Sequence, residues 1–516
     1  MRSNLTKHHR LAKLVKVTSK KLSLLLLPAC LLALISGCSF QQYSAKPITL
    51  ATNVEKIQRK DPSDIKFLQY LANNGYAENK LPLQQWNADD LTYCALYFHP
   101  SLDVARAQWR LAEQAEALAG AKPLPNLNGH LANSNQANGD SSPYAFGLSI
   151  DIPIETASKR DIRIENARHL SLAAKLEVAQ IAWQLRYQVA QALNDVQFNQ
   201  QQISLLTDEV ARRAEIVAIY QKRVNLGAAS NVELSTAKLQ LLAVSSELNA
   251  KKANTLVLRS KLANNLGLPL SKVEGMDFVL DIDKLDARKI KADLPTSENF
   301  LTNALLNRLD IRIALEQYAA AEAKLKLEIA KQYPDIVFSP GYAYEFGDKI
   351  WSLGLSGLLS LINKNKLGIG EATQLREVEA AQFFALQSKV IAEAERANTE
   401  LLLAKQSLSN QQKLREQQQS NTQRMERKFK AGEIDRLELA FNQLEKIAAD
   451  KNVTLANFQL KMAQNQLENA LQIPLADIKN SGQNNSKINT SFENSSSENS
   501  SSENLSIEKP VLNNTK

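Results

Sequence analysis

The chain has 516 residues, 44% of them apolar, with 17 glycines, 15 prolines and three cysteines; at ~150 residues per domain this is room for about three domains. So few cysteines exclude a disulfide scaffold, and no stretch beyond the N-terminus reaches the ~18 consecutive apolar residues of a membrane helix, which excludes a polytopic helical transporter. The formal net charge of +8 sits at the start: residues 1–37 hold seven Lys or Arg and no acid, so 55 of the 62 basic residues face 54 acidic ones elsewhere, a balance that points away from nucleic acid as a partner.

Residues 1–21 form a basic region, and Leu22–Ile35 form an apolar run of 14 residues, the pattern of a signal peptide. Ile35-Ser36-Gly37-Cys38 follows, which resembles a bacterial lipobox. Cleavage would leave Cys38 as a lipidated N-terminus, and Ser39 rather than Asp after it points, by that resemblance, to the outer membrane. Acyl chains fasten a protein to a membrane without making it span. Cys30 would be discarded with the leader, which leaves Cys94 as a lone, packed thiol beside Tyr93, Ala95 and Leu96.

A repeat of about 205 residues follows. Tyr220–Gln240 and Met425–Glu445 align at offset 205, matching Gly227 with Gly432, Glu233 with Glu438 and Leu234 with Leu439. The same offset carries Asn264-Asn265-Leu266-Gly267-Leu268-Pro269-Leu270 onto Asn469-Ala470-Leu471-Gln472-Ile473-Pro474-Leu475. The expected organisation is a lipoprotein signal peptide (1–37), an N-terminal segment (38–98), a first repeat (99–272), a linker (273–300), a second repeat (301–477) and a disordered Ser/Asn-rich tail (478–516).

Each repeat opens with an Ala-rich helix, about 100–121 and 307–331, ended by Pro123 or Pro334. Strands come next. Tyr144–Ile154 alternates strictly: Tyr144, Phe146, Leu148, Ile150, Ile152 and Ile154 against small or polar residues. Residues 350–361 do the same with Trp351, Leu353, Leu355, Leu359 and Leu361, Leu358 excepted. Partners near 125–134 and 335–346 complete two hairpins, closed by Asn138-Gly139-Asp140-Ser141 and Gly347-Asp348-Lys349. A membrane strand needs ~9–11 such residues with aromatics near its ends. Four strands cannot close a channel, so spanning requires several chains to share one barrel.

From 158 to 226 there is no Pro or Gly, which predicts a helix of ~100 Å. A 4,3 spacing from Val189 through Leu193, Val196, Gln200, Ile203, Thr207, Val210, Ala214, Val217 and Gln221 to Val224 marks a coiled-coil seam, repeated at Val390, Ala394, Ala397, Leu401, Ala404 and Leu408 in a helix over 371–430. Gly227 and Gly432 suit the left-handed position after each long helix, and return helices follow over 231–266 and 436–471. The seams are rich in Ala and Gln, which suits helices packed side by side into a wall or tube.

A lipobox, a twofold repeat, one β-hairpin per repeat and ~100 Å helical hairpins together resemble the TolC-like outer membrane factors over residues 95–477. The Gly-x5-Glu-Leu pattern at both turns and the Leu-Gly-Leu-Pro-Leu segment add to the likeness. Ile152–Arg160 looks like the start of the long helix in the CzcC-type subgroup, which serves heavy-metal efflux, although a Gly is usual there where Ser158 stands. The resemblance implies a mainly α fold with a small transmembrane β part: a trimeric 12-stranded β-barrel continued by a long α-helical coiled-coil barrel. It implies a homotrimer that docks with a periplasmic adaptor and an inner-membrane pump, serving as an exit duct with no energy source of its own. The helix turns would form the periplasmic tip and meet the adaptor; carried over, these are Arg223, Gly227 and Glu233, and Lys428, Gly432 and Glu438. A carboxylate ring from Glu233 and Glu438 would favour cations, while both are also first-turn acids favoured by the helix dipole. A second acidic position nine after the second Gly is Phe441 here.

No Gly-x-Ser-x-Gly, P-loop or His-Glu-x-x-His occurs, and His99, His130 and His169 are widely spaced, so no enzyme, metal site or cofactor is expected. Gly368-Ile369-Gly370 reads as a strand-to-helix turn rather than a dinucleotide site. The rival reading is a lipid-anchored periplasmic coiled-coil scaffold, which leaves the two alternating hairpins without a purpose.

Overall fold

The computed structural model describes residues 41–135, 142–279, 305–357 and 364–474. The expected signal peptide and Cys38, the turn at 138–141, positions 358–361, most of the linker and the tail lie outside the described residues. The chain divides into two units, 1–59 and 60–516. The described part of the first carries α1 (Leu50–Gln58), with Leu50, Val54 and Ile57 exposed at helical spacing.

The second unit begins with α2 (Ile65–Asn73), the short strand β1 (Gln85–Trp86) and α3 (Ala88–Phe98), whose start is fixed by a capping box between Asn87 and Asp90. The first repeat follows: α4 (Pro100–Ala119), β2 (Asn126–Asn133), β3 (Tyr144–Ile154), the 67-residue α5 (Lys159–Asn225) and the return helix α6 (Asn231–Leu266). Next come the one-turn α7 (Leu270–Val273) and β4 (Asp277–Phe278). The second repeat has α8 (Leu309–Ala330), β5 (Ile336–Glu345), β6 (Asp348–Gly357), the 65-residue α9 (Lys366–Lys430) and α10 (Arg436–Leu471). No described helix is long and apolar enough to cross a membrane.

Two departures from the sequence reading have local causes. The second long helix starts at Lys366, so Gly368 and Gly370 lie inside its first turns; the strand-to-helix turn is made by Lys364 and Asn365, both left-handed at φ 47° and 49°. Asn tolerates that region, and a helix this long carries two glycines through its packing. In α5 the 4,3 seam holds at Val189, Leu193 and Val196, but Gln200, Thr207 and Ala214 are exposed while Leu206 and Ile216 are buried. A straight helix drifts by ~20° per heptad from a 3.5 repeat, and α5 packs against both α6 and α10, so it presents two seams rather than one.

The helices form a wall four wide. On one side of α5, α4 and α6 stack end to end; on the other, α8 and α10 do the same, and α9 flanks that second stack. The ends of the stacks are bolted by polar contacts. Leu309 donates its backbone N–H to Gln472 Oε1 at 2.7 Å, and Arg308 donates to the Ala470 carbonyl at 3.0 Å. Midway along, Phe67, Leu71, Leu91 and Ala95 pack onto Val189 and Leu193 of α5 and Leu262 and Leu266 of α6. There β1 pairs in parallel with β4, so the N-terminal segment and the start of the linker share one small sheet, which the sequence did not reveal. Cys94 is buried in this cluster, and burial pushes its thiol up, as for an inert packed side chain.

Gly267, at φ +69°, ends α6 where α4 begins. A Cβ there would meet His99 Cα at 2.7 Å and the Phe98 carbonyl oxygen at 2.8 Å, both backbone atoms. Gly227 at φ +72° and Gly432 at φ +77° have nothing within 4 Å. Gly267→Ala is therefore expected to destabilise by more than the ~1–2 kcal/mol that left-handed backbone alone costs, and Gly227→Ala by no more than that cost. Thermal unfolding of the purified variants, followed by circular dichroism, compares them; equal shifts would contradict the reading.

Candidate functional site

The two turns between long and return helices are built alike. Arg223 and Lys428 supply the backbone carbonyls that close each long helix, accepting from Ala228 N at 2.7 Å and Glu433 N at 2.9 Å. The Gly227 and Gly432 amides bond Val224 O and Phe429 O at 3.0 Å each. These paired bonds are the Schellman closure, which needs the left-handed residue that glycine supplies. The return helices start on side-chain caps. Ser230 Oγ accepts from Glu233 N at 3.2 Å, while Glu233 Oε2 accepts from Ser230 N at 2.8 Å and from the Ser230 hydroxyl at 2.9 Å. In the second repeat Asp435 Oδ1 accepts from Glu438 N at 2.9 Å.

The turns are joined across the repeats. Arg223 donates to Asp435 Oδ2 at 2.7 Å, Arg436 pairs with Glu215, and Lys451 pairs with Glu209. Arg436 also lies over the Phe429 ring, 5.5 Å from its centre. Beneath these pairs Ile216, Ala237, Leu437 and Ala440 are buried together. The structure thus brings Arg223 to the second repeat's turn, whereas the side chains of Glu233, Lys428 and Glu438 are exposed. Hydrogen bonds from the Ser230 backbone and hydroxyl hold the exposed Glu233 carboxyl below its ordinary range. The Glu438 amide, then the Arg223 guanidinium, do the same for Asp435. Burial pushes the Glu215 carboxyl up, but hydrogen-bonded Arg436 and Arg212 outweigh it and leave it low.

At the other end of the wall the four strands form one antiparallel sheet in the order β2-β3-β5-β6. Its register puts Leu131, Phe146 and Tyr344 in one row, and Tyr342 beside Trp351 with Phe338 beside Leu355 on the same face. That apolar face is bare: Leu148 is 57% exposed, Leu353 65% and Trp351 82%. The opposite face carries Asn128, Ser149, Asp151, Ser339, Ser352 and Ser356. Among the described strands β2 and β6 are the edges, each paired on one side only.

The sheet is locked to the wall at its strand-to-helix junctions. Lys159 is buried and donates to the Tyr333 carbonyl at 2.6 Å and to Asp335 Oδ1 at 2.8 Å. Thr156 adds a backbone bond to Asp335 at 2.9 Å and a hydroxyl bond to the Pro334 carbonyl at 2.7 Å. Sequence reasoning passed over this clamp; the one visible signal was charge beside proline at the foot of an apolar strand. Ser158, where the CzcC-type pattern has Gly, is left-handed at φ 54°, a conformation glycine adopts without penalty. His99 caps α4, the His130 ring covers Gly147, and His169 bonds Glu316 at 2.7 Å, so the three lie apart. The described residues hold no cluster of three His, Cys, Asp or Glu able to bind a metal ion.

Residues 91–268 match the family described as outer membrane efflux protein. Among curated proteins none matches the sequence. Among solved structures the fold is similar to the outer-membrane channel OprN, at 16% identity and a TM-score of 0.61, over 74% of this chain and 89% of that one. It is similar to CusC at 18% identity and a TM-score of 0.60, over 74% and 91%. It is also similar to the outer membrane protein VceC of Vibrio cholerae at 16% identity and a TM-score of 0.60, over 74% and 95%.

Lys159→Met removes the charged donor and strands the Tyr333 carbonyl. Hydrogen bonds to charged groups contribute ~1.5–3 kcal/mol, and with Asp335 partly exposed the expected loss is about 2 kcal/mol. Thermal unfolding of the purified protein measures it; a loss within error would mean that the clamp does not hold the sheet.

Proposed function

We propose that the chain, whose residues 91–268 match the outer membrane efflux protein family, is the outer membrane exit duct of a tripartite efflux or secretion system, passing substrate across periplasm and outer membrane without chemistry of its own. The observation that carries this reading is the sheet: one bare apolar face, one polar face and two open edges. An open edge is not tolerated in lipid, so the sheet must be closed by copies of itself. The wall supports the same closure. Its outermost helices expose apolar side chains: Val104, Leu111 and Leu118 on α4, Leu239 and Leu242 on α6, and Phe384, Leu402 and Leu403 on α9. A homotrimer joins β6 to β2 and one margin to the other, giving 12 strands around a lumen and a helical tube 12 wide. OprN, described as an outer-membrane channel, and CusC, described through transmembrane channel formation, support the duct.

The helix turns are the periplasmic tip, where Gly227 and Gly432 with exposed Leu226, Val232 and Lys428 offer a surface to a periplasmic adaptor, itself bound to an inner-membrane pump. The acyl group on Cys38 anchors the chain to the outer membrane. The left-handed backbone at Ser158 fits the glycine usual there in the CzcC-type subgroup, which serves heavy-metal efflux, but the residue itself departs from that pattern.

Cys38→Ala is expected to abolish labelled palmitate incorporation and to weaken envelope retention; incorporation in the variant would contradict the anchor. Single-channel conductance of the purified protein in a planar bilayer tests the duct, and discrete steps are expected. Replacing Glu233 and Glu438 by Gln is expected to raise anion permeability of the tip. Because the folded Glu233 carboxyl titrates low, its charge, and the capping it stabilises, persist as pH falls past 4.5 and are lost only below that. Cation preference should therefore outlast the ordinary glutamate range. Unchanged selectivity in the double variant would leave both only as first-turn acids favoured by the helix dipole.

A further inference from the structure

The apolar face of the sheet carries one charge. Along that face β6 presents Lys349, Trp351, Leu353 and Leu355, and the register sets Lys349 opposite Tyr344, in the row of Phe146 and Leu131. No other described position on the face is charged. Lys349 is exposed and makes no hydrogen bond or ion pair with a described residue. Cations at the opposite end of the sheet differ in this respect: Lys159 pairs with Asp335 and Arg163 with Glu155. A lone cation set into an apolar face is costly without an anion beside it, and here the chain's described residues supply none.

Place and neighbours say which anion fits. Lys349 follows Asp348 at the start of β6, beside the hairpin turn, and Leu355 lies about 20 Å further along the strand. The apolar band of a membrane barrel is ~25 Å tall, so Lys349 stands at one rim of it and not at the centre. The long helices leave from the other end of the sheet, which makes this rim the outward one. Aromatic rings surround the ammonium's row: Tyr344 stacks on Phe146 at 5.4 Å, and Trp351, next on the same face, lies 4.8 Å from Tyr342. Such rings settle at the level of lipid headgroups, where phosphates are. A free anion would gain nothing from the apolar bodies of Tyr344, Trp351 and Leu353, whereas a lipid brings phosphate and acyl chains together. We propose that Lys349, flanked by Tyr344 and Trp351, binds the phosphate of a phosphorylated lipid of the outer leaflet, one per chain, with its acyl chains lying down the row of Leu353 and Leu355. The site rests on the duct reading, in which this face meets lipid.

Quenching of Trp351 fluorescence by brominated lipid tests this in the full-length protein reconstituted into phosphatidylcholine vesicles, with Trp351→Phe subtracted to isolate that ring. In vesicles made wholly of brominated phosphatidylcholine, Trp351 is expected to be quenched in the wild type and in Lys349→Met alike, which also shows that the variant has inserted. No quenching in the wild type would mean that the face does not meet lipid, and the duct reading would fall together with this proposal. Brominated phosphatidic acid, whose headgroup is a bare phosphate, is then added as a minor component. Its enrichment beside Trp351 is expected to be about fivefold over brominated phosphatidylcholine at the same fraction, the equivalent of the ~1 kcal/mol that one basic residue gains at an anionic surface. Lys349→Met is expected to abolish the enrichment and Lys349→Arg to retain it. Three results overturn the proposal while leaving the duct intact. Equal quenching by the two lipids would show no headgroup preference. Enrichment that survives Lys349→Met would place the phosphate elsewhere. Enrichment erased by millimolar inorganic phosphate would make this a site for a free anion.

Discussion

Under the proposed reading, in which the apolar face of the sheet meets lipid, unpaired backbone at the sheet's edges is the constraint on which the rest of this molecule depends. Every N–H and C=O in the hydrocarbon layer needs a partner, and an unmet group costs several kcal/mol. The four strands meet that demand internally along three seams and leave it open along β2 and β6. Their outward rows, from Leu131 through Phe146 and Tyr344 to Trp351 and Leu355, are apolar where a soluble sheet would need cover. The sheet is thus legible as a fragment of a closed structure. In the proposed homotrimer one symmetry operation would close both the sheet and the helical wall, which would make a twofold repeat with one hairpin per copy an economical way to build a tube.

Joining the two parts raises a second problem. Strand and helix advance at different rates, ~3.3 Å and ~1.5 Å per residue, so the chain must change direction sharply where one becomes the other. Both junctions do so through consecutive left-handed residues, Ala157-Ser158 and Lys364-Asn365. Such backbone is costly unless its surroundings fix it. At the first junction they do: Lys159 and Thr156 bond Tyr333, Pro334 and Asp335 of the other repeat. The strain of the first repeat's turn is therefore held partly by its sister, which ties the two hairpins into one sheet, whereas Asn365 at the second junction donates to Glu328 of its own repeat.

What the sequence showed was whatever rests on local chemistry. Alternation in Tyr144–Ile154, the proline- and glycine-free run of α5, and the glycines that end the long helices all act through neighbours in the chain, and the return helices begin and end where expected. What it hid rests on distance. Lys159 meets Asp335 across 176 residues and Arg223 meets Asp435 across 212, with no periodicity to announce either pair. The sheet of β1 and β4 has two residues per strand, too few for a pattern. The seam of α5 was half legible: a single 3.5 repeat describes a helix with one partner, and α5 has a different neighbour on each side. At the candidate tip the same division holds. Gly227, Glu233, Gly432 and Glu438 announce themselves through spacing, whereas the cross-repeat bonds of Arg223 and Arg436 do not.

The two readings of the tip acids are not rivals once the caps are in view. A carboxylate ring in a pore needs its charges held at fixed positions, since a freely rotating side chain averages its field away and loses selectivity to water and counterions. Glu233 is fixed by the bonds that make it a cap: both Ser230 donors engage one oxygen, Oε2, and the other oxygen is left to carry field into the surroundings. Its role in starting α6 is what would make it a dependable pore charge. In the second repeat the capping role falls to Asp435, which Arg223 partly neutralises, while Glu438 gives only its amide to the cap. The two repeats would therefore present unequal carboxylates to the proposed tip, one braced and one free of that brace, and a threefold assembly would alternate them around its axis.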